Sequence, residues 1–368
     1  MNDLPPMSDD LGPCKVLHLF GRRPDYGAIV VIDNVACGPA VGGVRMAPDV
    51  SLAECSRLAR AMTLKNAAAS LPHGGGKAVI FADPGMPAGA KEELIRAFAG
   101  GIRHLVDYVP GPDMGTDERS MAWVRDEIGR AVGLPRELGG IPIDQIGATG
   151  LGCAVAAEVA AEARGMTLKG ARVAVQGFGA VGRHAARELV VRGSVLVAAS
   201  DNRGTLIHPD GIDVSVLTKI KGEGGSVLDY PEGRKADGAA VIGVDCDIWV
   251  PAARPDVITE ANASELKAKI VIEGANIPAT ATAEAIMQAS GVLIVPDFIA
   301  NAGGVIAAVT EYHGGTEAAA LEIVEAKIRQ NTNEILARAA REKKAARAVA
   351  QEIAQERVKR AMSLRRWA

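Results

Sequence analysis

The feature that most constrains the fold is a glycine-rich hexapeptide between a strand pattern and a helix pattern. Residues 177–182 read Gly-Phe-Gly-Ala-Val-Gly, which matches G-x-G-x-x-G, and the aliphatic segment 172–176 precedes them. In such a unit the first glycine makes a tight turn, the second lets the backbone approach a pyrophosphate, and the third lets helix and strand pack closely. The motif therefore predicts a dinucleotide site at Gly177, Gly179, Ala180, Val181 and Gly182.

The next predicted strand indicates which dinucleotide binds. It covers 194–199 and leads into Asp201, nineteen residues after Gly182, where an acid usually binds the ribose hydroxyls. This spacing favours NAD. Arg203 follows two residues later and could bind a 2′-phosphate, so NADP stays open.

The order of predicted elements indicates an α/β fold in two domains. A length of 368 residues suits two domains, and a cluster of glycine and proline near 133–150 marks the boundary. Strands alternating with helices after residue 152 predict a doubly wound parallel sheet of the Rossmann type. We expect an N-terminal α/β catalytic and oligomerisation domain over 1–145, a cofactor domain over 146–330 and a helical tail over 331–368.

The first domain carries weaker signals. The segments 15–20, 28–33 and 77–81 have strand character, whereas the glycines of 37–43 predict a loop. A second glycine run, Gly74 to Gly76, is expected to end the preceding helix, which begins after a capping box at Ser51.

Composition excludes several classes of function. Aromatic residues make up only 3% of the chain and the net charge is −3, so a nucleic-acid surface is not expected. No apolar run reaches the roughly 18 residues of a membrane span. Five scattered cysteines fit reduced thiols in a cytoplasmic protein, and six histidines without metal-ligand spacing predict no metal site.

Two lysines and an aspartate are the candidate catalytic residues. Lys65 and Lys77 lie in apolar or glycine-rich surroundings, where a desolvated ammonium can act as a general base or stabilise a developing alkoxide. A second, charged lysine suits a carboxylate. Asp113 lies in a Pro/Gly-rich turn after a strand, a common position for site residues. Asp117 is a competing candidate, but a helix N-cap is the stronger interpretation for it.

These residues belong to motifs that together resemble a known family, the glutamate/leucine/phenylalanine/valine dehydrogenases. The motifs of its catalytic domain are Gly42-Gly43-Val44-Arg45, Met62-Thr63-Leu64-Lys65-Asn66-Ala67-Ala68-Ala69, Gly74-Gly75-Gly76-Lys77 and Pro112-Asp113-Met114-Gly115. The motifs of its cofactor domain are Ala148-Thr149-Gly150, the glycine hexapeptide, Glu273-Gly274-Ala275-Asn276 and Pro296-Asp297-Phe298 followed by Asn301-Ala302-Gly303-Gly304. The resemblance implies reversible oxidative deamination of an L-amino acid by an oligomeric enzyme.

The resemblance also implies a role for each matching residue in the first domain. Lys65 would bind the α-carboxylate, and the backbone at Gly42 and Gly43 would contact the substrate. Lys77 would activate the water that attacks the iminium carbon, and Asp113 would carry protons to and from the amino group.

In the second domain the resemblance implies residues for the nicotinamide end of the cofactor. Thr149, Asn276 and Asn301 would orient the nicotinamide and the substrate. Ala252 would lie in the turn on the cofactor side. The C-terminal helix of the family packs back on the first domain, which suits the helical tail.

Two departures from the family pattern bear on the substrate. Glutamate-specific members have a lysine where this chain has Val41 and a serine where it has Ala308. A second buried carboxylate without these partners would cost several kcal/mol. We therefore expect an apolar side-chain pocket for a branched aliphatic or aromatic amino acid.

Three alternatives stay open at this point. Arg45 or His73 could hold the second carboxylate of glutamate. His73 could instead line the pocket or be an ordinary loop histidine. The chain could also be a non-catalytic, NAD-binding regulatory paralogue of the family.

Overall fold

The computed structural model describes residues 9–365. Its strands, in chain order, are β1 (Lys15–Arg22), β2 (Asp25–Asn34), β3 (Ala40–Ala47), β4 (Gly74–Phe81), β5 (Tyr108–Pro112), β6 (Arg172–Gln176), β7 (Val195–Asp201), β8 (Gly204–Ile207), β9 (Arg234–Ala236), β10 (Ile248–Pro251), β11 (Ile270–Ile272) and β12 (Leu293–Val295).

The helices alternate with these strands in the second half of the chain. They are α1 (Leu52–Ala68), α2 (Ala88–Gly101), α3 (Glu118–Ile128), α4 (Ile143–Ile146), α5 (Ala148–Ala163), α6 (Ala180–Val191), α7 (Val214–Gly222), α8 (Ala281–Ala289), α9 (Asp297–Ala300), α10 (Gly303–Tyr312), α11 (Glu317–Glu342) and α12 (Ala346–Ser363).

The chain forms two compact units whose bounds differ from the predicted domains. The described part of the first unit runs to Pro142 and adds Val305–Ala320 and the chain from Gln351 onward. The second unit comprises Ile143–Gly304 and Leu321–Ala350. The tail thus belongs to the first unit from residue 351 rather than from residue 331, and residues 305–320 belong to the first unit although they were expected in the cofactor domain. The sequence gives no sign of these boundaries, because they fall inside the continuous helices α10, α11 and α12.

The first unit is built on a five-stranded mixed sheet with the order β1-β2-β4-β3-β5. The strands β1 and β2 run antiparallel, as do β2 and β4, whereas β3 is parallel to both β4 and β5. Aliphatic side chains and alanine fill most of its core, together with the buried rings of Phe98 and Tyr108. This arrangement puts the carboxyl ends of β3, β4 and β5 at one edge.

The predictions for the two glycine runs in this sheet are wrong. The segment expected to be a loop over 37–43 enters strand β3 at Ala40, and Gly74 to Gly76 begin β4. A Cβ on Gly42 would lie 1.7 Å from the carbonyl oxygen of Gly76, and one on Gly75 would lie 2.0 Å from the backbone nitrogen of Thr63. These glycines therefore allow neighbouring backbones to approach closely and do not form turns. The low strand propensity of glycine hides this role when the sequence is read alone.

The second unit has a seven-stranded sheet with the order β12-β11-β10-β6-β7-β8-β9. The five strands β12, β11, β10, β6 and β7 are parallel to one another. The strands β8 and β9 extend the sheet beyond β7, each antiparallel to its neighbour. The predicted doubly wound parallel sheet is confirmed, whereas the antiparallel extension was not predicted.

One described segment of the second unit is helical, long and apolar enough to cross a membrane, by length and composition alone. It is Ile143–Ala163, and 72% of its most apolar window is buried inside the protein. The core helix of a globular protein has the same composition, so this segment is weak evidence for a span.

Candidate active site

The sheet of the first unit brings Lys77 and Asp113 together. Lys77 is in β4, Asp113 directly follows β5, and β3 lies between these two strands. The ammonium of Lys77 donates to Oδ2 of Asp113, and the lysine is only 4% exposed. Gly43 of β3 makes the space for this pair, because a Cβ there would lie 2.8 Å from Oδ2 of Asp113. The structure therefore joins two of the predicted residues in a largely buried ion pair.

Asp113 is held from several sides. Its Oδ1 accepts from Nε of Arg45 at 3.1 Å and from the backbone N–H of Met114 at 2.6 Å. Burial acts to raise the pKa of Asp113, but the charge and hydrogen bond of Lys77, with Met114 and Arg45, outweigh it and hold the pKa below its usual range. The carboxylate therefore stays ionised at neutral pH. Sequence reasoning missed Arg45 as its partner.

The other predicted substrate residues of this unit lie on α1, β3 and α10. Lys65 is half-buried in the last turn of α1. The neighbouring Asn66 fixes this turn to the sheet by donating to the carbonyl of Gly74 at 2.6 Å. Val41 of β3 and Ala308 of α10 are 2% and 7% exposed. All of them belong to the first unit.

His73 is neither a loop histidine in solvent nor an available cation. It is 1% exposed, with Nδ1 at 2.9 Å from the carbonyl of Pro39 and Nε2 at 3.1 Å from Nε2 of His313. Burial lowers the pKa of His73, and the nearby His313 lowers it further. The hydrogen bond to the carbonyl of Pro39 acts in the opposite direction but does not outweigh them. The imidazole is therefore neutral at neutral pH, with Nδ1–H donating to Pro39 and Nε2 accepting from His313.

Asp117 caps a helix, as its stronger interpretation predicted. Its Oδ1 accepts from the backbone N–H of Ser120 at 2.8 Å at the start of α3. This contact accounts for Asp117 without a catalytic role, and the prediction is confirmed.

The glycine hexapeptide opens onto a cleft of about 940 Å³ in the second unit, within the size range of ligand pockets. Gly177 has a φ of +90°, which makes the turn after β6. A Cβ on Gly179 would have nothing within 4 Å, whereas one on Gly182 would lie 1.9 Å from the carbonyl oxygen of Gly177. The backbone is therefore accessible at Gly179 and closely packed at Gly182, as phosphate binding at the start of α6 requires.

Other groups at the cleft fit a polar ligand. Asp201 and Ala252 line it, together with Gln176, whose buried Oε1 has no partner among the described residues. The first N–H groups of α6, at Ala180 and Val181, have no side-chain cap. A dinucleotide with its phosphates at α6 fits this set of donors and acceptors.

Two of the residues expected at the nicotinamide, Asn276 and Asn301, are in contact in the second unit, and the third, Thr149, lies beside the glycines that follow Asn301. The side-chain amide of Asn301 donates to Oδ1 of Asn276 at 2.9 Å. Thr149 is nearby, since a Cβ on Gly304 would lie 3.0 Å from its Oγ1. The structure thus places Thr149 of α5 beside a segment more than a hundred residues later in the chain.

A buried cluster of charges that sequence reasoning missed supports the loop of Asn276. Arg347 of α12 donates to Oε2 of Glu273, to Glu284 and to Oδ1 of Asp297. Asp297 in turn accepts the backbone N–H of Ile277 at 2.9 Å. No local pattern marks Arg347, because its partners lie at least 50 residues away in the chain.

Known proteins match this chain over nearly its full length. Residues 139–366 match the family described as Glutamate/Leucine/Phenylalanine/Valine dehydrogenase, and residues 21–130 match Glu/Leu/Phe/Val dehydrogenase, dimerisation domain. The glutamate dehydrogenase of Aeropyrum pernix is 41% identical over 357 residues, covering 91% of this chain and 85% of that protein. The NADP-specific glutamate dehydrogenase of Saccharolobus shibatae is 38% identical over 307 residues, covering 80% and 72%.

Solved structures give the same result. The hetero-hexameric glutamate dehydrogenase of Thermus thermophilus in its leucine-bound form has a TM-score of 0.83 at 31% identity, covering 96% of this chain and 90% of its own. The L-tryptophan dehydrogenase of Nostoc punctiforme has a TM-score of 0.76 at 26% identity, covering 96% and 98%. The chain therefore belongs to the glutamate/leucine/phenylalanine/valine dehydrogenase family, whose members are amino acid dehydrogenases that use a nicotinamide dinucleotide.

Proposed function

We propose that the chain catalyses reversible oxidative deamination of an L-amino acid with an apolar side chain, giving the 2-oxo acid, ammonia and the reduced dinucleotide. The buried pair of Lys77 and Asp113 is the observation that carries this proposal. It combines an ammonium and an ionised carboxylate in a mostly water-excluded site, as proton transfer at a carbon–nitrogen centre requires.

The candidate residues of the first unit divide the binding and proton-transfer tasks of this reaction among them. Lys65 binds the α-carboxylate, and the backbone at Gly42 and Gly43 contacts the substrate. Asp113 takes the proton from the amino group, and the bound dinucleotide supplies the hydride acceptor. Lys77 acts as a base once its ammonium has released its own proton to solvent, and the neutral amine removes a proton from the water that attacks the iminium carbon. Asp113 then gives its proton to the nitrogen of the carbinolamine. The carbon–nitrogen bond breaks as the hydroxyl proton is lost to solvent, which releases ammonia and the 2-oxo acid.

The preference for a substrate with an apolar side chain is inferred from the cations of this unit, which are already paired or neutral. Val41 and Ala308 offer no charge to a second carboxylate. Arg45 is already bound to Asp113 and to Glu54, and His73 is neutral and hydrogen-bonded at both nitrogens. Neither group is available for the side-chain carboxylate of glutamate.

Glutamate is the second candidate substrate, because the relatives at 41% and 38% identity are named glutamate dehydrogenases. A substrate panel separates the two. Formation of the reduced dinucleotide is measured with leucine, valine, phenylalanine, tryptophan and glutamate at equal concentration. The proposal expects turnover of the apolar amino acids, and activity with glutamate alone refutes it.

Two sets of variants test the assigned roles. Lys77→Ala is expected to lower kcat by about 10²–10⁴-fold, the contribution of a general base, while NADH binding persists. The pair Val41→Lys and Ala308→Ser is expected to add activity with glutamate at the expense of the apolar substrates. A chain that binds NADH and turns over no amino or 2-oxo acid would instead be a regulatory paralogue.

We further propose NAD as the cofactor, in a cytoplasmic homo-oligomer. Asp201 at the end of β7 supports NAD, while Arg203 and an NADP-specific relative keep NADP open. The match to a dimerisation domain over 21–130 supports self-association. So does Phe20, which is 82% exposed on the edge strand β1. Light scattering on the purified chain measures the subunit number.

A further inference from the structure

The backbone directly after Asn276 is strained. Ile277 has a φ of +47°, in the left-handed region, which is unfavourable for a β-branched residue. The residue is exposed, so packing of its side chain does little to fix this conformation. A strained residue of this kind persists only where its surroundings hold the backbone in place.

Hydrogen bonds hold Ile277 on both sides of its Cα. Its backbone N–H donates to Oδ2 of Asp297 at 2.9 Å, and its carbonyl accepts the backbone N–H of Asp256 at 3.0 Å. Oδ1 of Asp297 in turn accepts from Nη1 of Arg347 at 2.9 Å. Both oxygens of Asp297 are therefore acceptors, and the guanidinium of Arg347 orients the carboxylate that holds the strained residue.

The cluster around Arg347 has more carboxyl groups than cations. Three buried carboxyl groups contact this one guanidinium: Glu273, Glu284 and Asp297. Three buried negative charges against one positive charge would carry a large desolvation cost, so the cluster retains a proton. Burial raises the pKa of Glu273 well above its usual range. The charge of Arg347 opposes this, whereas Glu284 and Asp297 raise the pKa further.

Glu273 has a position for this proton. Its Oε2 accepts from the backbone N–H of Asp297 at 2.9 Å and from Arg347. Its buried Oε1 accepts from no donor among the described residues. Burial raises the pKa of Glu284, and a hydrogen bond from Glu273 is among the contacts that oppose this rise. Glu273 therefore accepts through Oε2 and, when protonated on Oε1, donates to Glu284.

We propose that Asp297 and Arg347 are positioning residues for the dinucleotide, which hold the strained Ile277 and thereby keep Asn276 in place for the nicotinamide. The inference rests on the proposed function, because it takes Asn276 as a contact of the bound dinucleotide. Oδ1 of Asn276 accepts from Asn301 at 2.9 Å, so its amide nitrogen is the group that can donate to the carboxamide oxygen of a nicotinamide.

The same chemical change at two positions of the cluster tests the inference, with NADH affinity measured by fluorescence titration of the full chain without amino acid. Glu273→Gln keeps one acceptor oxygen and places an amide donor where the proton lies, so the Kd of NADH is expected to stay within about twofold. Asp297→Asn replaces one of two acceptor oxygens by a donor, so Ile277 is held less firmly and the Kd is expected to rise by about tenfold. Glu265→Gln, at an exposed position of the same unit, is the matched control.

A rescue separates positioning from a general loss of structure. Glycine adopts a positive φ without strain, so adding Ile277→Gly to Asp297→Asn is expected to recover most of the NADH affinity. Arg347→Lys keeps the charge but loses the planar fork that contacts several carboxyl groups. It is a second variant with the same expected weakening and the same rescue, and it serves if Asp297→Asn does not fold.

Three results would overturn the inference. They are unchanged NADH affinity in the folded Asp297→Asn or Arg347→Lys variant, equal weakening in Glu273→Gln, and no recovery on adding Ile277→Gly. If the NADH affinities change as expected and no amino acid is turned over, the proposed function fails while the positioning role stands.

Discussion

Gly43→Ala tests whether the placement of Asp113 controls the reaction. The new Cβ would lie 2.8 Å from Cβ and Oδ2 of Asp113, whereas ordinary contacts begin at 3.4 Å. The aspartate must therefore shift by about 0.6 Å, away from the position where Lys77 and Arg45 hold it. A misplacement near 1 Å can cost 10²-fold, so we expect kcat to fall by about 10- to 100-fold.

The assay is steady-state formation of the reduced dinucleotide, with NADH binding measured in parallel. NADH affinity is expected to change little, because Gly43 and the glycine turn belong to different units. Gly100→Ala is the matched control, since a Cβ at this position of α2 meets nothing within 4 Å. The effects of Gly43→Ala and Asp113→Asn should not add, because both act through one carboxylate. A folded Gly43→Ala variant with kcat within twofold of the unmodified protein would refute the reasoning.

Three further changes probe stability. Arg347→Met leaves its buried carboxylates without their cation, so unfolding in urea should show a loss of about 3–5 kcal/mol, against little for the exposed Arg341→Met. The two carboxylate oxygens of Glu311 accept the backbone N–H groups of Leu134 and Ile141. Glu311→Gln replaces one of these oxygens by an amide donor, which leaves one N–H without its acceptor, so the free energy of unfolding is expected to fall by about 1–3 kcal/mol in the same assay. His73 is held neutral in the folded protein and protonates near pH 6.5 in the unfolded chain, so the free energy of unfolding falls as the pH falls below 6.5. His73→Phe should therefore lose less stability between pH 7.5 and pH 5.5 than the unmodified protein does. An equal loss in the two proteins would contradict this.

Much of the cofactor unit follows from local sequence. Gly177, Gly179 and Gly182 act within a single strand–turn–helix unit, so their spacing is sufficient to predict the turn, the accessible backbone and the close packing. The alternation of strands and helices after residue 152 predicts the parallel sheet for the same reason, since βαβ connections leave few other arrangements. Lys65, Lys77 and Asp113 could be singled out as candidate site residues because each lies in a short motif and the motifs occur in a fixed order along the chain.

The glycine strands of the first unit show where local signals fail. Gly42 and Gly75 have low strand propensity, and their segments were predicted as loop and helix end. Their actual role depends on a neighbouring strand and on helix α1, whose backbones approach too closely for any side chain. That approach is a property of the packed sheet and is absent from the segment alone.

The sequence by itself indicated the family and the Rossmann-type sheet, and it singled out Lys65, Lys77 and Asp113 as candidate site residues, because the motifs that carry them depend on short-range spacing. Only the tertiary structure decided how the charges are paired. It joined Lys77 to Asp113 across β3, engaged Arg45, neutralised His73 and gave Asp201 the partner Lys221. Electrostatic energy depends on distance in space, and a charge is available for a ligand only when no nearer partner has already compensated it.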